Sequence, residues 1–189
     1  MKQSLGAKPL VYPTPVFVVG TYDAQNRPNV MTAAWGGIGC SRPLSVAVSL
    51  RQTTLSYGNL IARKAFTISI PSEAHVKAVD YIGMTSGRDG DKFAAAKLTP
   101  VRSSLVDAPY VQEFPLVIEC KLAQTIELGS HTLFVGEVVD VKVEESARLG
   151  AHGTADIKQI RPLLFMPDTQ AYYGLGIFIA RAFSVGEKI

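Results

Sequence analysis

The chain has 189 residues, enough for one domain with a substantial core, and it is 47% hydrophobic and 19% charged, a globular rather than a disordered composition. Its 19 Lys and Arg exceed its 16 Asp and Glu by three and are scattered, so no basic patch marks a nucleic-acid surface. No apolar run approaches bilayer length, and residues 1–5 lead into no long apolar core with a cleavage site, which predicts a cytoplasmic protein with no membrane partner.

In chain order, residues 16–23 read as a strand, 24–28 as a polar turn, and 29–34 as a returning strand. Trp35-Gly36-Gly37-Ile38-Gly39 then breaks the regularity; its three glycines point to a close backbone approach to a neighbour or a flat ligand. Cys40 and, much later, Cys120 lie in no metal-ligand or CxxC spacing, which predicts buried thiols in a reducing compartment and no metal site. Residues 45–50 form a strand, 51–54 a short loop, and 55–62 a helix. Residues 65–70 alternate strictly, placing Phe66, Ile68 and Ile70 on one face. A second helix is predicted over 73–81 with Ser72 as its N-cap, then a loop over 83–90 and a short helical piece over 91–97. Residues 116–122 and 132–143 are strands. In the latter, Glu137 falls in phase with Val135, Val139 and Val141, so either a bulge at Gly136 rotates it away or its carboxylate is half-buried and paired. Residues 144–155 are a polar excursion, and Tyr172 and Tyr173 cover a pocket, a subunit contact or simply the buried chain end. About seven strands and a few short helices imply a mainly β, barrel-like single domain over 1–189. A parallel α/β sheet would need helices between the strands of 17–50, and there are none.

Three segments carry candidate chemistry. Ser49-Leu50-Arg51-Gln52-Thr53-Thr54 ends a strand and opens a helix, where unpaired N–H groups and a partial positive charge stabilise an anion. Arg51 can grip phosphate oxygens bidentately with hydroxyl help from Thr53 and Thr54; alternatively, one of those threonines only caps the helix. Ser86, Arg88, Asp89, Asp91 and Lys92 surround flexible glycines, either as hydrogen-bonding partners of a heterocycle or as a solvated turn with local ion pairs. His131 stands on a turn before a strand, facing a redox ring or simply bonded to backbone. His75 and His152 have no supporting neighbours. There is neither a G-x-S-x-G elbow nor a G-x-G-x-x-G fingerprint.

The ordered set Asn-Val-Met-Thr-Ala-Ala-Trp-Gly-Gly at 29–37, Ser-Leu-Arg-Gln-Thr-Thr at 49–54, Ala-Phe-Thr-Ile-Ser-Ile-Pro at 65–71, Ser-Gly-Arg-Asp at 86–89 with Asp-Lys-Phe at 91–93, and His-Thr-Leu-Phe-Val-Gly-Glu at 131–137 resembles the flavin reductase-like FMN-binding family, most closely its flavoredoxin branch. It covers roughly residues 10–185. The resemblance implies a Greek-key-like split β-barrel, a homodimer and one FMN per subunit. It implies that Thr32, Ala33, Ala34 and Trp35 run along the flavin through backbone groups, and that Ser49, Leu50, Arg51, Thr53 and Thr54 form the phosphate segment. Ser86, Arg88, Asp89 and Lys92 would lie near the ring or ribityl chain, and His131 near the ring edge. Two departures stand out: Ala34-Trp35 where many family reductases carry Asn-Ser, and Ser130 where an Asp commonly precedes the histidine. Three roles follow from the resemblance: an NAD(P)H-dependent reductase, an FMN-bearing electron carrier reduced by a protein partner, or a flavin-binding module without turnover.

Overall fold

A computed structural model of the chain describes residues 1–149 and 153–186, so His152 lies outside the described residues. The chain runs through β1 (Thr14–Pro15), β2 (Phe17–Tyr22), β3 (Pro28–Ala33), β4 (Gly36–Ser41) and β5 (Leu44–Arg51) to its first helix, α1 (Leu55–Arg63). Next come β6 (Ala65–Ile70), α2 (Val76–Met84), α3 (Lys92–Ala96) and the short paired strands β7 (Pro100–Arg102) and β8 (Pro109–Val111). Two 13-residue strands, β9 (Leu116–Leu128) and β10 (His131–Val143), form a long hairpin. The remainder holds β11 (Arg148–Leu149), β12 (Thr154–Ala155), α4 (Ile157–Ile160), β13 (Leu164–Met166) and β14 (Ala171–Tyr173).

Seven strands make one antiparallel sheet in the order β3-β2-β6-β9-β10-β5-β4. Its edge strands, β3 and β4, are consecutive in the chain and joined only by Ala34 and Trp35. That connection reaches about 10 Å, so the sheet curls until its two edges stand side by side. They are not hydrogen-bonded into one ladder; the Ser49 N–H of β5 donates to the Trp35 carbonyl at 2.8 Å, which extends the β4–β5 pairing into the link. The architecture is therefore a split barrel, mainly β with short helices. Phe17, Val19, Val48, Leu50, Phe66 and Phe134 fill its interior. A second core, including Val18, Val30, Val79, Ile82, Phe93 and Phe114, fixes α2 and α3 against the outside of β2 and β3.

Local chemistry explains the pieces. β6 shows the expected alternation, yet both its faces are buried: Phe66 and Ile68 enter the interior. On the opposite face the Thr67 hydroxyl donates to the Pro109 carbonyl at 2.5 Å, and the Ser69 hydroxyl accepts from the Val111 N–H at 3.2 Å. The glycines at 36–39 do not interrupt the sheet; they lie in edge strand β4, paired with β5. The second helix starts later than its sequence suggests, after a 3₁₀ turn at Glu73–His75, and runs on through Gly83 and Met84. Ser72 does not cap it, because its hydroxyl shares a 2.9 Å hydrogen bond with His75 Nδ1.

The expectation for Glu137 also needs correction. It is exposed on the outer face beside Val135 and Val139, unpaired among the described residues. A register shift does occur between Val135 and Gly136, but the extra residue is Ala123 on β9. Gly136 points inward, where a Cβ would lie 2.4 Å from Phe66 Cζ. The buried carboxylate of this hairpin is instead Glu119, paired with Lys142. Of the two thiols, Cys120 is buried, and desolvation pushes its pKa up to about 12. Cys40, on the edge strand, is exposed, contrary to the sequence expectation. Tyr172 is tied into the body, its hydroxyl donating to Asp80 Oδ1 at 3.2 Å, whereas Tyr173 is exposed. No helix among the described residues is long and apolar enough to cross a membrane.

Candidate functional site

The start of α1 is built by Thr54. Its hydroxyl donates to the Arg51 carbonyl at 2.9 Å and accepts from the Tyr57 N–H at 3.3 Å, so this side chain closes the turn and caps the helix. Thr53 and Arg51 remain exposed, and Arg51 makes no ion pair among the described residues. Leu50 is buried in the core, leaving only its backbone for a ligand. The first turn of a nine-residue helix thus stands beside a free guanidinium.

The loop after α2 closes over this start. Arg88 Nη1 donates to the Thr53 carbonyl at 2.7 Å, and the Ser86 hydroxyl accepts from the Arg88 N–H at 3.2 Å. Gly87 packs so tightly that a Cβ there would lie 2.0 Å from Asn29 Oδ1 and 2.9 Å from Leu55 Cδ2. Asn29 in turn donates from Nδ2 to the Ser56 hydroxyl at 2.8 Å. Below the loop lies Lys92, only 6% exposed, whose Nζ donates to the Ile82 carbonyl at 2.8 Å. No carboxylate partners it among the described residues, and burial lowers its pKa from 10.5 to about 8.

A cleft of about 220 Å³ separates these elements, and Thr32, Thr53, Thr54, Ser86 and Lys92 all line it. An adjoining cleft of about 450 Å³ shares Lys92 and adds Arg27 and Arg88. Asn29, Met31, Leu55, Ser56 and Gly87 also line the first cleft and were not singled out from the sequence. Asn29 and Met31 were legible there as alternate residues of the strand carrying Thr32. Thr32 directs its hydroxyl to the Val79 carbonyl at 2.6 Å, anchoring α2.

The other candidates stand apart from this cleft. Ala33 is buried in the barrel interior. Ala34 and Trp35 line a separate recess of about 300 Å³ with Val11 and Pro167. Asp89 is exposed, its N–H donating to the Ser86 carbonyl at 3.1 Å. His131 begins β10 rather than sitting in a turn, directly across from Arg51, with Ser130 Oγ 2.9 Å from its Nδ1. Ser49 pairs with Leu133 on the same two strands.

A family model described as a flavin reductase-like domain matches residues 10–173. The chain belongs to the flavin reductase-like family. This is a flavin-binding redox family. Among solved structures of the fold, the flavoredoxin of Desulfovibrio vulgaris (Miyazaki F) is 55% identical, with a TM-score of 0.94 over 99% of this chain and 100% of that one. A flavoredoxin from Methanosarcina acetivorans is 25% identical, with a TM-score of 0.91 over 99% of this chain and 98% of that one. An NADH:riboflavin 5'-phosphate oxidoreductase of Streptomyces pristinaespiralis is 28% identical over 71% of this chain and 74% of its own length. The flavin reductase-like chain described here thus shares its architecture with flavoredoxins from end to end.

Proposed function

We propose that this chain is an FMN-binding redox protein of the flavoredoxin type, a cytoplasmic homodimer with one flavin per subunit. The observation that carries the reading is Lys92, a buried ammonium without a carboxylate partner among the described residues, facing a cleft opened by the start of α1. An uncompensated buried cation is costly unless an anion shares its site. The donor set fits a phosphorylated flavin: Arg51, the Thr53 hydroxyl and the first N–H groups of α1 take the phosphate. Thr32, Ala33, Ala34 and Trp35 offer backbone groups along the ring, and Leu50 contributes its backbone near the phosphate. Ser86, Arg88 and Asp89 face the ribityl side, and Ser49 and His131 approach from the strand pair across from Arg51.

When bound, FMN supplies the redox chemistry, accepting a hydride or electrons and passing them on. The protein's part is to bind, orient and exclude solvent. Lys92 favours negative charge in the cleft, and no side chain acts as general acid or base. The 55% identity to a flavoredoxin favours a tightly held FMN that exchanges electrons with a protein partner over one turned over by NAD(P)H. The test is the visible spectrum of the purified protein before and after anaerobic NADH or NADPH. A flavin spectrum that persists supports the carrier, and bleaching within seconds shows a reductase. Colourless protein that takes up no added FMN overturns the proposal.

A further inference from the structure

The chain does not end at its last strand. After β14 the backbone leaves the body, and residues 174–180 make no backbone hydrogen bond among the described residues. The segment spells Leu175-Gly176-Ile177-Phe178-Ile179, and Phe183 and Val185 follow. Ile177, Phe178 and Ile179 are 90%, 72% and 89% exposed, and Phe183 is fully exposed. Consecutive apolar residues of this kind suit a segment covered on both faces, not one lying in water. An aromatic side chain alone buries about 150–250 Å², so Phe178 and Phe183 together with Leu175, Ile177, Ile179 and Val185 amount to on the order of 800 Å². A standard stable interface removes roughly that area from each partner.

A matching bare surface lies on the outside of the barrel. Leu133 pairs across strands with Ile126 and Ser49, and Val135 pairs with Ala47, so these side chains share the outer face of β5, β10 and β9. Leu128 extends the face beside His131, and Ile126 and Leu128 are both exposed. The helices α2 and α3 cover β3, far from this face.

We infer that the arm at 175–185 is exchanged between two copies of this chain, each laying its arm on the outer face of the partner's β5, β10 and β9. The occupant is a second copy because one chain carries both complementary surfaces and a twofold pair covers both at once. The inference rests on the homodimer proposed above and specifies its contact. The arm then runs past Ser49 and His131, at the border of the candidate flavin site.

The experiment is sedimentation velocity on the full chain, on a Phe178→Asp/Ile179→Asp double variant and on Ile126→Lys, each with an FMN titration. These side chains are exposed in the single chain, so the variants keep its fold. The expected result is a wild-type dimer at micromolar concentration, with dimer dissociation constants raised on the order of 100-fold in both variants. Undiminished dimerisation of the arm variant overturns arm exchange while leaving the homodimer standing. A weakened arm variant beside an unaffected Ile126→Lys overturns the receiving face. A monomeric wild type overturns the dimer itself, and retained FMN binding in that case keeps the flavin reading separate.

Discussion

Arg88 Nη1 donates to the backbone carbonyl of Thr53 at 2.7 Å, tying together two loops that are 35 residues apart in sequence. One loop opens α1, and the other closes the cleft beneath it. Arg88 therefore acts on the site's shape as well as its charge. Because the contact is solvent-exposed, its replacement changes geometry more than stability. Arg88→Ala is expected to speed amide hydrogen exchange across residues 86–90 and to weaken FMN several-fold, with little change in melting temperature. Unchanged exchange in that loop would show that the tie is ornamental.

Gly87 has no such latitude. Its missing Cβ is the space occupied by Asn29 Oδ1, and Asn29 also holds Ser56. Gly87→Ala must displace the Asn29 side chain or the loop. The expected cost is about 1–3 kcal/mol of stability, with a loss of flavin affinity in the same variant, read by thermal melts and FMN fluorescence quenching. A variant that matches wild type in both measurements would remove Asn29 from the site.

Arg51 and His131 face each other across β5 and β10, yet they should differ sharply in consequence. A charge-assisted phosphate contact is worth roughly 1.5–3 kcal/mol, so Arg51→Ala should weaken FMN binding by about 10- to 150-fold. His131→Ala should remain near wild type. Equal retention of flavin by Arg51→Ala and wild type would sink the phosphate assignment.

Lys92 gives the site a pH signature. Its pKa in the folded protein is lowered to about 8, so it loses its proton within an accessible range. A negatively charged ligand nearby favours the protonated form, so binding takes up protons around that pH. FMN affinity should fall as pH rises from 7 through about 8 towards 9, and the slope should vanish in Lys92→Met. The stability of the ligand-free protein has the opposite sense. The unfolded lysine keeps its proton up to about 10.5, so the penalty for burying Lys92 is full below about 8 and relieved as pH rises between the two values.

Thr54 separates helix capping from ligand contact. Loss of its hydroxyl in Thr54→Ala should cost about 1 kcal/mol, lowering the melting temperature by about 2–4 °C, and Thr54→Ser should restore it. A Thr54→Ala protein with full stability but impaired flavin binding would reverse the assignment.

What the sequence disclosed followed the strength of local signals. The alternation of Phe66, Ile68 and Ile70 and the turn chemistry at 51–54 each specify an element without help from elsewhere. The glycines at 36–39 did not, because an edge strand has only one partner and its propensity is overridden by pairing with β5. Glu137 was misread because its in-phase valines suggested an inner face, whereas that face is outside. At the site, Thr53 and Ser86 were legible as polar residues in loops, and Lys92 as a polar residue at the start of a short helical piece. Ser56 was not, because its importance arises from a bond between β3 and α1 that has no sequence periodicity. Capping by Thr54 was one of the two readings that its position offered, whereas no pattern shows that the Thr32 hydroxyl is engaged by the Val79 carbonyl.

The two-residue link between β3 and β4 makes a seam in the barrel wall. In a fully closed barrel every main-chain donor and acceptor along that line would be locked into a ladder. Here β3 and β4 share no ladder, and the bond from the Ser49 N–H to the Trp35 carbonyl only prolongs the β4–β5 pairing by one residue. A seam of this kind leaves main-chain donors and acceptors free of a ladder, so what matters along it is where the backbone runs rather than which side chains decorate it. On the proposed FMN reading, Ala34 and Trp35 leave the site without side-chain hydroxyl or amide donors at this line and with its main-chain groups in place.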